Sequence, residues 1–320
     1  MKMNRAMRVF GVALLACRVV TGPAGAAWTV EDRENTELPG RAIEIAYDGT
    51  RLAEVIYGEG QAKVYLAVYD EQGQRLTNPG LSADGSERGR FPHHRGIFIG
   101  WNQIGSDRGT DDLWHLRSGE RMDLLSIDRA EATDAGVRLE LTIGWFSAKQ
   151  DDALKGLLIE EQRTLLIQRV DGCTVIDQRS VLNAARDVRL GGDLQHAGLH
   201  FRADAAVDDV RGQAVYLWAP AELAPGGGRI VSDALRWVNY RFPLHGNWYA
   251  VTQLNRPENR TTELSWRDYG RFGFFFNDEI AQGASRVMYG RFLIQRLEDM
   301  DGVAESLRSF SEEAYEAYTR

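Results

Sequence analysis

The chain has 320 residues, of which 43% are hydrophobic, and a formal net charge of −8. This acidic balance argues against nucleic acid as a partner, because binding to a phosphate backbone needs a surplus of basic residues. Beyond the N-terminal segment, no apolar stretch approaches the roughly 20 residues that cross a bilayer as a helix, so we expect no transmembrane span.

Residues 1–26 are predicted to be an export signal. Basic residues precede the short apolar run 9–16, and Ala24-Gly25-Ala26 offers a small-residue cleavage site. Cys17 offers an alternative, because the residues before it resemble a lipoprotein processing site that would leave a lipid anchor on this cysteine. The expected location is therefore periplasmic or extracellular, with tethering to a membrane through Cys17 as the alternative.

After residue 26, apolar and polar residues alternate along many short segments, a pattern typical of half-buried strands. Leu139, Leu141, Ile143 and Trp145 give the clearest example, since all four fall on one face of the segment. Turn residues such as Asp48-Gly49 separate these segments. Further strands are predicted at residues 43–47, 52–57, 64–69, 96–101, 157–167, 173–182, 237–242, 249–254, 271–276 and 287–296.

A helix is predicted at the C-terminus, where apolar residues recur at spacings of three and four. These residues are Ala304, Leu307, Phe310, Ala314 and Tyr318. Residues 27–320 contain neither an internal repeat nor a linker-like stretch, so we expect a single domain. Many strands joined by short turns predict an all-β fold, a large two-sheet antiparallel β-sandwich with a short C-terminal helix.

Five of the six histidines fall into two groups, His93, His94 and His115 in the first and His196 and His200 in the second. Histidine is suited to proton transfer near neutral pH and binds first-row metals, so both groups are candidates for one pocket. On a regular strand, His93 and His94 would point to opposite faces, and Pro92 therefore predicts an irregular backbone here. The histidine spacing matches no zinc motif, and the alternative is that these histidines are buried and bonded to the backbone.

The residues around the histidines suit a ligand with many hydroxyl groups. Aromatic faces can stack on a sugar ring while charged side chains bind its hydroxyls. The candidates for these roles are Trp101, Trp114, Asp111, Asp112, Arg95, Arg117 and Arg202. No nucleophile elbow, phosphate loop or dinucleotide-binding fingerprint occurs in a suitable context, which argues against the commonest hydrolases, kinases and dehydrogenases.

The segment 91–101, Phe-Pro-His-His-Arg-Gly-Ile-Phe-Ile-Gly-Trp, is followed by Asp112-Leu113-Trp114-His115. Together they resemble the bacterial PmoA-like family, a domain of unknown function whose members carry a Pro-His-His-Arg segment. The likeness continues through residues 176–177, 196–202, 256–259 and 266–270. Phe91 and Arg256 depart from it, because many members have an acid and a histidine at those positions.

The resemblance implies a β-sandwich similar to galactose mutarotases and polysaccharide lyases, with a carbohydrate or glycoside as partner. We therefore predict an exported carbohydrate-active enzyme, a lyase or hydrolase that cleaves a glycosidic bond, in one version on a 3-keto sugar. His94 or His93 would be the base, and Arg95 and Arg202 would stabilise the oxyanion. The predicted catalytic residues are His93, His94, Arg95, His196 and Arg202. The predicted substrate-binding residues are Trp101, Asp112, Trp114, His115, His200, Arg267 and Tyr269.

Three alternatives stay open at the level of sequence. The protein could be a sugar-binding module without catalysis, or a sugar epimerase or mutarotase with a base and an acid on opposite faces of the ring. A divalent metal ion held by His93, His94 and His115 is the third alternative.

Overall fold

In the computed structural model, the described residues are 28–148, 156–193, 195–298 and 303–320. The predicted export signal and Cys17 lie outside these ranges. Within the ranges, no helix is both long and apolar enough to cross a membrane.

The described part of the chain consists mainly of strands, numbered here in chain order. The first eleven are β1 (Trp28–Glu34), β2 (Arg41–Tyr47), β3 (Thr50–Tyr57), β4 (Tyr65–Val68), β5 (Ile97–Trp101), β6 (Gln103–Ser106), β7 (Gly109–Asp111), β8 (Arg121–Thr133), β9 (Gly136–Phe146), β10 (Leu157–Val170) and β11 (Cys173–Ala184). They are followed by β12 (Val188–Gly191), β13 (Ala197–Arg202), β14 (Val215–Ala219), β15 (Arg229–Val231), β16 (Trp237–Leu244), β17 (Asn247–Leu254), β18 (Glu263–Arg267), β19 (Arg271–Phe275), β20 (Asp278–Ile280) and β21 (Ser285–Leu297). The helices are α1 (Val303–Thr319) and the short 3₁₀ turns Ala205–Asp209, Arg211–Gln213 and Pro257–Asn259.

The strands form three antiparallel sheets. The nine-stranded sheet has the order β1-β2-β3-β4-β5-β13-β19-β18-β15, and the eight-stranded sheet has the order β14-β16-β17-β21-β11-β10-β9-β8. A small four-stranded sheet has the order β20-β12-β6-β7. The predicted all-β sandwich is confirmed, and the four-stranded sheet is an addition that the sequence pattern did not indicate.

The two large sheets share one hydrophobic core. Ile45 and Ile99 enter it from the nine-stranded sheet, and Leu141 and Ile176 enter it from the eight-stranded sheet. Because successive side chains of a strand point to opposite faces, half of each buried strand contributes to this core. The alternation read from β9 therefore identified its core face correctly.

A second apolar cluster covers the outer face of the nine-stranded sheet, on the side away from the main core. Its members come from β2 to β5 and from the loops that follow β1, β4 and β7: Leu38, Ala42, Ile56, Tyr65, Ala67, Tyr69, Leu81, Phe98 and Trp114. Phe98 belongs to this outer cluster, whereas Ile97 and Ile99 on the same strand belong to the main core. The outer face is thus covered by packed side chains, and the two groups of histidines lie on this side of the sheet.

The helix α1 packs on the outer face of the eight-stranded sheet. Val303 and Leu307 join a third apolar cluster with Trp237, Ala250 and Leu293. The helix confirms the periodicity of the C-terminal residues, and its bounds differ from the predicted spacing by one residue at each end.

Candidate functional site

The backbone is irregular at Pro92, as the sequence predicted. Phe91 has a φ of 56°, a left-handed conformation that is uncommon for a bulky residue, and its carbonyl accepts a hydrogen bond from the His94 amide at 3.0 Å. Gly96 has a φ of 53°, and a Cβ there would lie 2.2 Å from the Leu66 carbonyl oxygen, so glycine is required. This turn places the His93 and His94 rings next to each other, with centroids 4.2 Å apart.

Asp112 orients His115. One carboxylate oxygen of Asp112 accepts hydrogen bonds from the backbone N–H groups of Trp114, at 3.0 Å, and of His115, at 2.9 Å. The other oxygen lies 2.7 Å from Nδ1 of His115. A single aspartate therefore fixes both the turn and the direction of the imidazole ring.

Asp193 orients His196 in the same way. Its carboxylate accepts the Gln195 backbone N–H at 3.0 Å and lies 2.8 Å from Nδ1 of His196, while Asn102 donates to it at 3.1 Å. The sequence reads Asp-Leu-Trp-His at 112–115 and Asp-Leu-Gln-His at 193–196. Asp193 was missed by the sequence reasoning, and this repeated Asp-Leu-X-His pattern was the signal that could have found it.

The two histidine groups meet on the outer face of the nine-stranded sheet. The ring centroids of His93 and His115 are 4.7 Å apart, and those of His115 and His196 are 5.0 Å apart. Trp114 lies between the groups, with centroid distances of 5.5 Å to His196 and 4.8 Å to His200. On a regular strand His196 and His200 would lie about 13 Å apart. His196 precedes β13, and Gly198 has a φ of 93°, so the regular alternation does not hold here.

His94 is a buried, neutral imidazole. Its Nε2 accepts the indole N–H of Trp114 at 3.0 Å, and its buried Nδ1 has no hydrogen-bond partner among the described residues. Burial, assisted by His93 and Arg271, holds the pKa of His94 well below its usual value. Because the indole occupies its free lone pair, His94 is not available as a base or as a metal ligand, which corrects both predictions for this residue.

His93 is exposed to the cavity and is also neutral. Burial lowers its pKa to about 3, and Lys63, His115 and Arg117 act in the same direction. A group with so low a pKa is a weak base near neutral pH. His93 is therefore better suited to contacting a ligand than to moving protons.

His200 is fully buried and supports the site from below. Its Nε2 donates to the Ala197 carbonyl oxygen at 2.7 Å, and its ring lies against Gly273, where a Cβ would be 2.5 Å from the imidazole. Arg271 approaches its Nδ1 at 3.4 Å. The predicted contact of His200 with substrate is wrong, because no part of the side chain reaches the cavity.

Several other predicted site residues also lie beneath the surface. Trp101 is fully buried in the main core, where its indole donates to the Phe276 carbonyl oxygen at 3.1 Å, and Trp114 is fully buried in the outer cluster. Arg202 is fully buried under Tyr269, with its guanidinium 4.8 Å from the ring centroid. The substrate contacts predicted for both tryptophans and the oxyanion contact predicted for Arg202 are therefore wrong.

Arg267 and Tyr269 act as supports of the site. Arg267 donates to the side-chain oxygen of Gln195, next to His196, and to the Gly228 carbonyl oxygen at 3.3 Å. The largely buried ring of Tyr269 lies 4.8 Å from the ring of Phe91. Both side chains hold segments that carry site residues.

A cavity of about 590 Å³ opens beside His93 and His115. It is lined by Ala62, Lys63, Glu87, Phe91, Pro92, His93, Arg95, His115, Leu116 and Arg117. His196 is not part of this lining, and its ring lies beside that of His115, with the centroids 5.0 Å apart. A larger groove of about 760 Å³ is lined by residues that include Glu37, Arg88, Asp204 and His245, but it lacks a set of convergent imidazoles. The smaller cavity is therefore the better candidate for a functional site.

The predicted metal site is not supported by the geometry. Among the residues that the structure describes, no three His, Cys, Asp or Glu side chains are arranged to hold a metal ion. His94 is committed to Trp114, whereas the aspartates hold the Nδ1 atoms of His115 and His196 and leave their Nε2 atoms free.

The fold and the site define the class of the protein, a β-sandwich protein with a histidine-lined cavity on the outer face of its larger sheet. By sequence, the chain belongs to the family of unknown function DUF6807, whose family profile matches residues 42–298. This match does not confirm the PmoA-like label that the motifs suggested. No curated protein matches the chain.

Solved structures that are similar to this chain include two galactose mutarotase-like proteins. The one from Clostridium acetobutylicum is 11% identical, with 81% of this chain and 96% of that chain covered and a TM-score of 0.44. The one from Lactobacillus casei is 8% identical, with 84% and 100% covered and a TM-score of 0.39. Heparan sulfate lyase HepC from Pedobacter heparinus is 10% identical, with 84% of this chain but 37% of that chain covered and a TM-score of 0.40. At these identities the similarity concerns the fold alone.

Proposed function

We propose that the protein is a carbohydrate-active enzyme that cleaves a glycosidic bond at this cavity, with His115 and His196 transferring protons. The observation that carries the proposal is the pair of aspartate-held histidines, whose ring centroids lie 5.0 Å apart. A module that only binds sugar has no need of two imidazoles oriented in this way. Export to the periplasm or the cell exterior, expected from residues 1–26, belongs to the same proposal.

The two aspartates determine which nitrogen of each histidine can react. An aspartate that accepts the Nδ1–H of an imidazole leaves Nε2 to exchange protons with a ligand and stabilises the imidazolium that forms. Burial lowers the pKa of His196, although Asp193 opposes part of this effect. His196 is therefore neutral near pH 7 and suited to be the base. We assign His115 as the matching proton donor, because Asp112 holds its Nδ1 and leaves its Nε2 for the leaving oxygen.

The short distance between the two rings restricts how a sugar can bind. A sugar between them would need two van der Waals contacts of about 3.5–4 Å each, which is more than the 5.0 Å available. Both histidines must therefore act from one side of the sugar. This supports a cleavage in which the proton is removed and the leaving oxygen is protonated on the same face, and it disfavours an epimerase with groups on opposite faces.

Elimination requires a C–H bond that is acidic, as it is next to the carbonyl of a 3-keto sugar. In this version His196 removes that proton, the C–H electrons form a C=C bond, the glycosidic C–O bond breaks, and His115 protonates the leaving oxygen. Arg95, which lines the cavity, would stabilise the developing enolate oxygen, and Phe91 offers a face for the sugar ring. In the hydrolytic version, His196 removes a proton from an attacking water molecule instead.

The test is turnover of a glycan panel, untreated and oxidised at C3, with products identified by NMR. H115N and H196N are expected to lose at least about 100-fold in kcat while binding is retained, since general acid–base groups contribute about 10²–10⁴-fold. H245N is the matched control, because His245 lies outside the cavity. A C1=C2 bond in the oxidised sugar without a new reducing end indicates elimination, and a new reducing end without a C=C bond indicates hydrolysis. If the wild type binds glycans without cleaving any bond, the proposal of an enzyme is rejected in favour of a sugar-binding module.

A further inference from the structure

Three basic side chains line the cavity. They are Lys63, Arg95 and Arg117, and Glu87 is the one carboxylate that the described residues contribute to the lining. Among the described residues, none of the three basic groups forms an ion pair with a carboxylate. Many other arginines of this acidic chain do, as Arg291 does with Asp177 at 2.6 Å. The charges of Arg95 and Arg117 therefore make the cavity locally positive in a protein of net negative charge.

Lys63 is fully buried, and neutral groups hold its amine. Its Nζ donates to the Trp114 carbonyl oxygen at 2.9 Å and lies 4.6 Å from the centroid of the Phe98 ring. An amine at this depth without a carboxylate partner is costly to keep charged. Its position at the wall of the cavity indicates a ligand that offsets this cost.

Arg95 is held in a fixed orientation toward the same space. Its Nε donates to the Pro92 carbonyl oxygen at 3.0 Å, and one terminal nitrogen donates to the side-chain oxygen of Gln61 at 2.8 Å. Gly80 leaves room for it, since a Cβ at that position would lie 2.7 Å from the Arg95 Nε. A guanidinium that is oriented in advance and lacks a carboxylate is suited to binding an oxyanion.

Arg117 lies at the exposed rim of the cavity. It follows Leu116, whose φ of 58° turns the chain at this point. Arg117 is close enough to lower the pKa of His93, so its charge reaches into the cavity. The three basic groups thus occupy the wall and the rim of one space.

We propose that this cavity binds an anionic substituent of a sugar, a carboxylate or a sulfate, between Lys63, Arg95 and Arg117. The inference deepens the proposed function, because it assigns an acidic sugar as the substrate class of the same cavity. It does not depend on turnover, since it concerns binding alone.

Proton uptake is expected to accompany binding. Burial holds the pKa of Lys63 well below its usual value, Arg95 acts in the same direction, and Asp112 opposes them. His93 and His94 also face this amine, and both are neutral near pH 7. A bound anion raises the pKa of the amine, so Lys63 takes up a proton and binding becomes tighter as the pH falls.

The test compares three probes by calorimetry at low salt: glucuronate, glucose 6-sulfate and glucose. We expect at least one anionic probe to bind at least about tenfold more tightly than glucose, and the two anions separate carboxylate from sulfate recognition. We expect R117Q, at an exposed position, to weaken anion binding about tenfold and to affect glucose binding much less. R179Q, on β11 of the other sheet, is the control and should behave as the wild type.

K63M provides a second measurement. With the wild type, the binding enthalpy of the anion should change with the ionisation enthalpy of the buffer, because a proton is taken up, and in folded K63M this dependence should disappear. Equal binding of anions and glucose by the wild type, or equal anion binding by R117Q and R179Q, would overturn the inference. This inference is tested by binding measurements, whereas the proposed function is tested by the turnover of H115N and H196N. The two can therefore fail independently.

Discussion

Trp114 donates its indole N–H to Nε2 of His94 at 3.0 Å, and this hydrogen bond joins the segment 112–115 to the turn at Pro92. Both partners are buried on the outer face of the nine-stranded sheet. The bond therefore connects the two sequence motifs that line the cavity, and it fixes Nε2 as the ring nitrogen of His94 that accepts a hydrogen bond.

We expect W114F to lower the free energy of unfolding by about 2–4 kcal/mol, because it leaves a buried acceptor without its donor and leaves space beside the smaller ring. The measurement is chemical denaturation at pH 7. W218F is the matched control, since Trp218 is only partly buried and donates to the Leu223 carbonyl oxygen at 3.1 Å. A loss in W114F no larger than that in W218F would contradict the role of this bond.

Acid should destabilise the protein through its buried histidines. Burial lowers the folded pKa of both His94 and His200 below the unfolded value of about 6.5. The unfolded state then binds more protons than the folded state below about pH 6.5, so stability is lost as the pH falls. Each histidine should cost up to about 2 kcal/mol between pH 7 and pH 5.

Variants isolate this effect from the titration of carboxylates. The decrease in unfolding free energy between pH 7 and pH 5 should be smaller in H94Q and in H200Q than in the wild type. H245Q removes a largely exposed histidine and should reproduce the wild-type decrease. If all four proteins show the same decrease, the two histidines are not held neutral by the fold.

Sequence patterns were sufficient for the fold but only partly sufficient for the site. The alternation in β9 and the spacing in the C-terminal helix report burial directly, because each repeat places side chains on one face. The motif 92–95 indicated the correct region. Trp101 shows the limit of these patterns. A tryptophan next to a histidine motif can point to either face of its strand, and only the pairing of β5 with β13 in the folded sheet establishes which face this is.

Lys63 and Asp193 show the second limit. Lys63 is held at the cavity by its hydrogen bond to Trp114, a residue 51 positions further along the chain. No local sequence pattern encodes a contact between residues so far apart. Asp193 had a local signal, the Asp-Leu-X-His repeat, which becomes meaningful once His115 and His196 are seen to be neighbours.

Asp193 is expected to be a positioning residue for His196. D193N keeps the size of the side chain but removes the charge that stabilises the imidazolium, so kcat should fall about 10–100-fold with KM nearly unchanged. The loss of Asp193, which opposes the burial effect, should also lower the pKa of His196 further and shift the acidic limb of the pH–rate profile to lower pH. D84N, at an exposed turn, is the control. A fall in kcat without any shift of the profile would indicate a merely structural role.

Glu263 should respond to pH in the direction opposite to the histidines. It is buried on β18, neither carboxylate oxygen has a hydrogen-bond partner among the described residues, and its nearest ion-pair contact is Arg229 at 3.9 Å. Burial raises its pKa to about 7, above the value of 4.5 that applies to the unfolded chain. The folded state then binds more protons than the unfolded state, and the contribution of Glu263 to stability is lost as the pH rises through 7.

E263Q removes this pH dependence while keeping the shape of the side chain. We expect E263Q to be more stable than the wild type by about 1–3 kcal/mol at pH 8, because no charge has to be buried, and to differ little at pH 4.5. Denaturation of both proteins at the two pH values provides the measurement. E258Q is the control, since Glu258 is exposed and should give no difference at either pH. A destabilised E263Q at pH 8 would mean that the charged carboxylate is stabilised in the folded protein, most directly by Arg229.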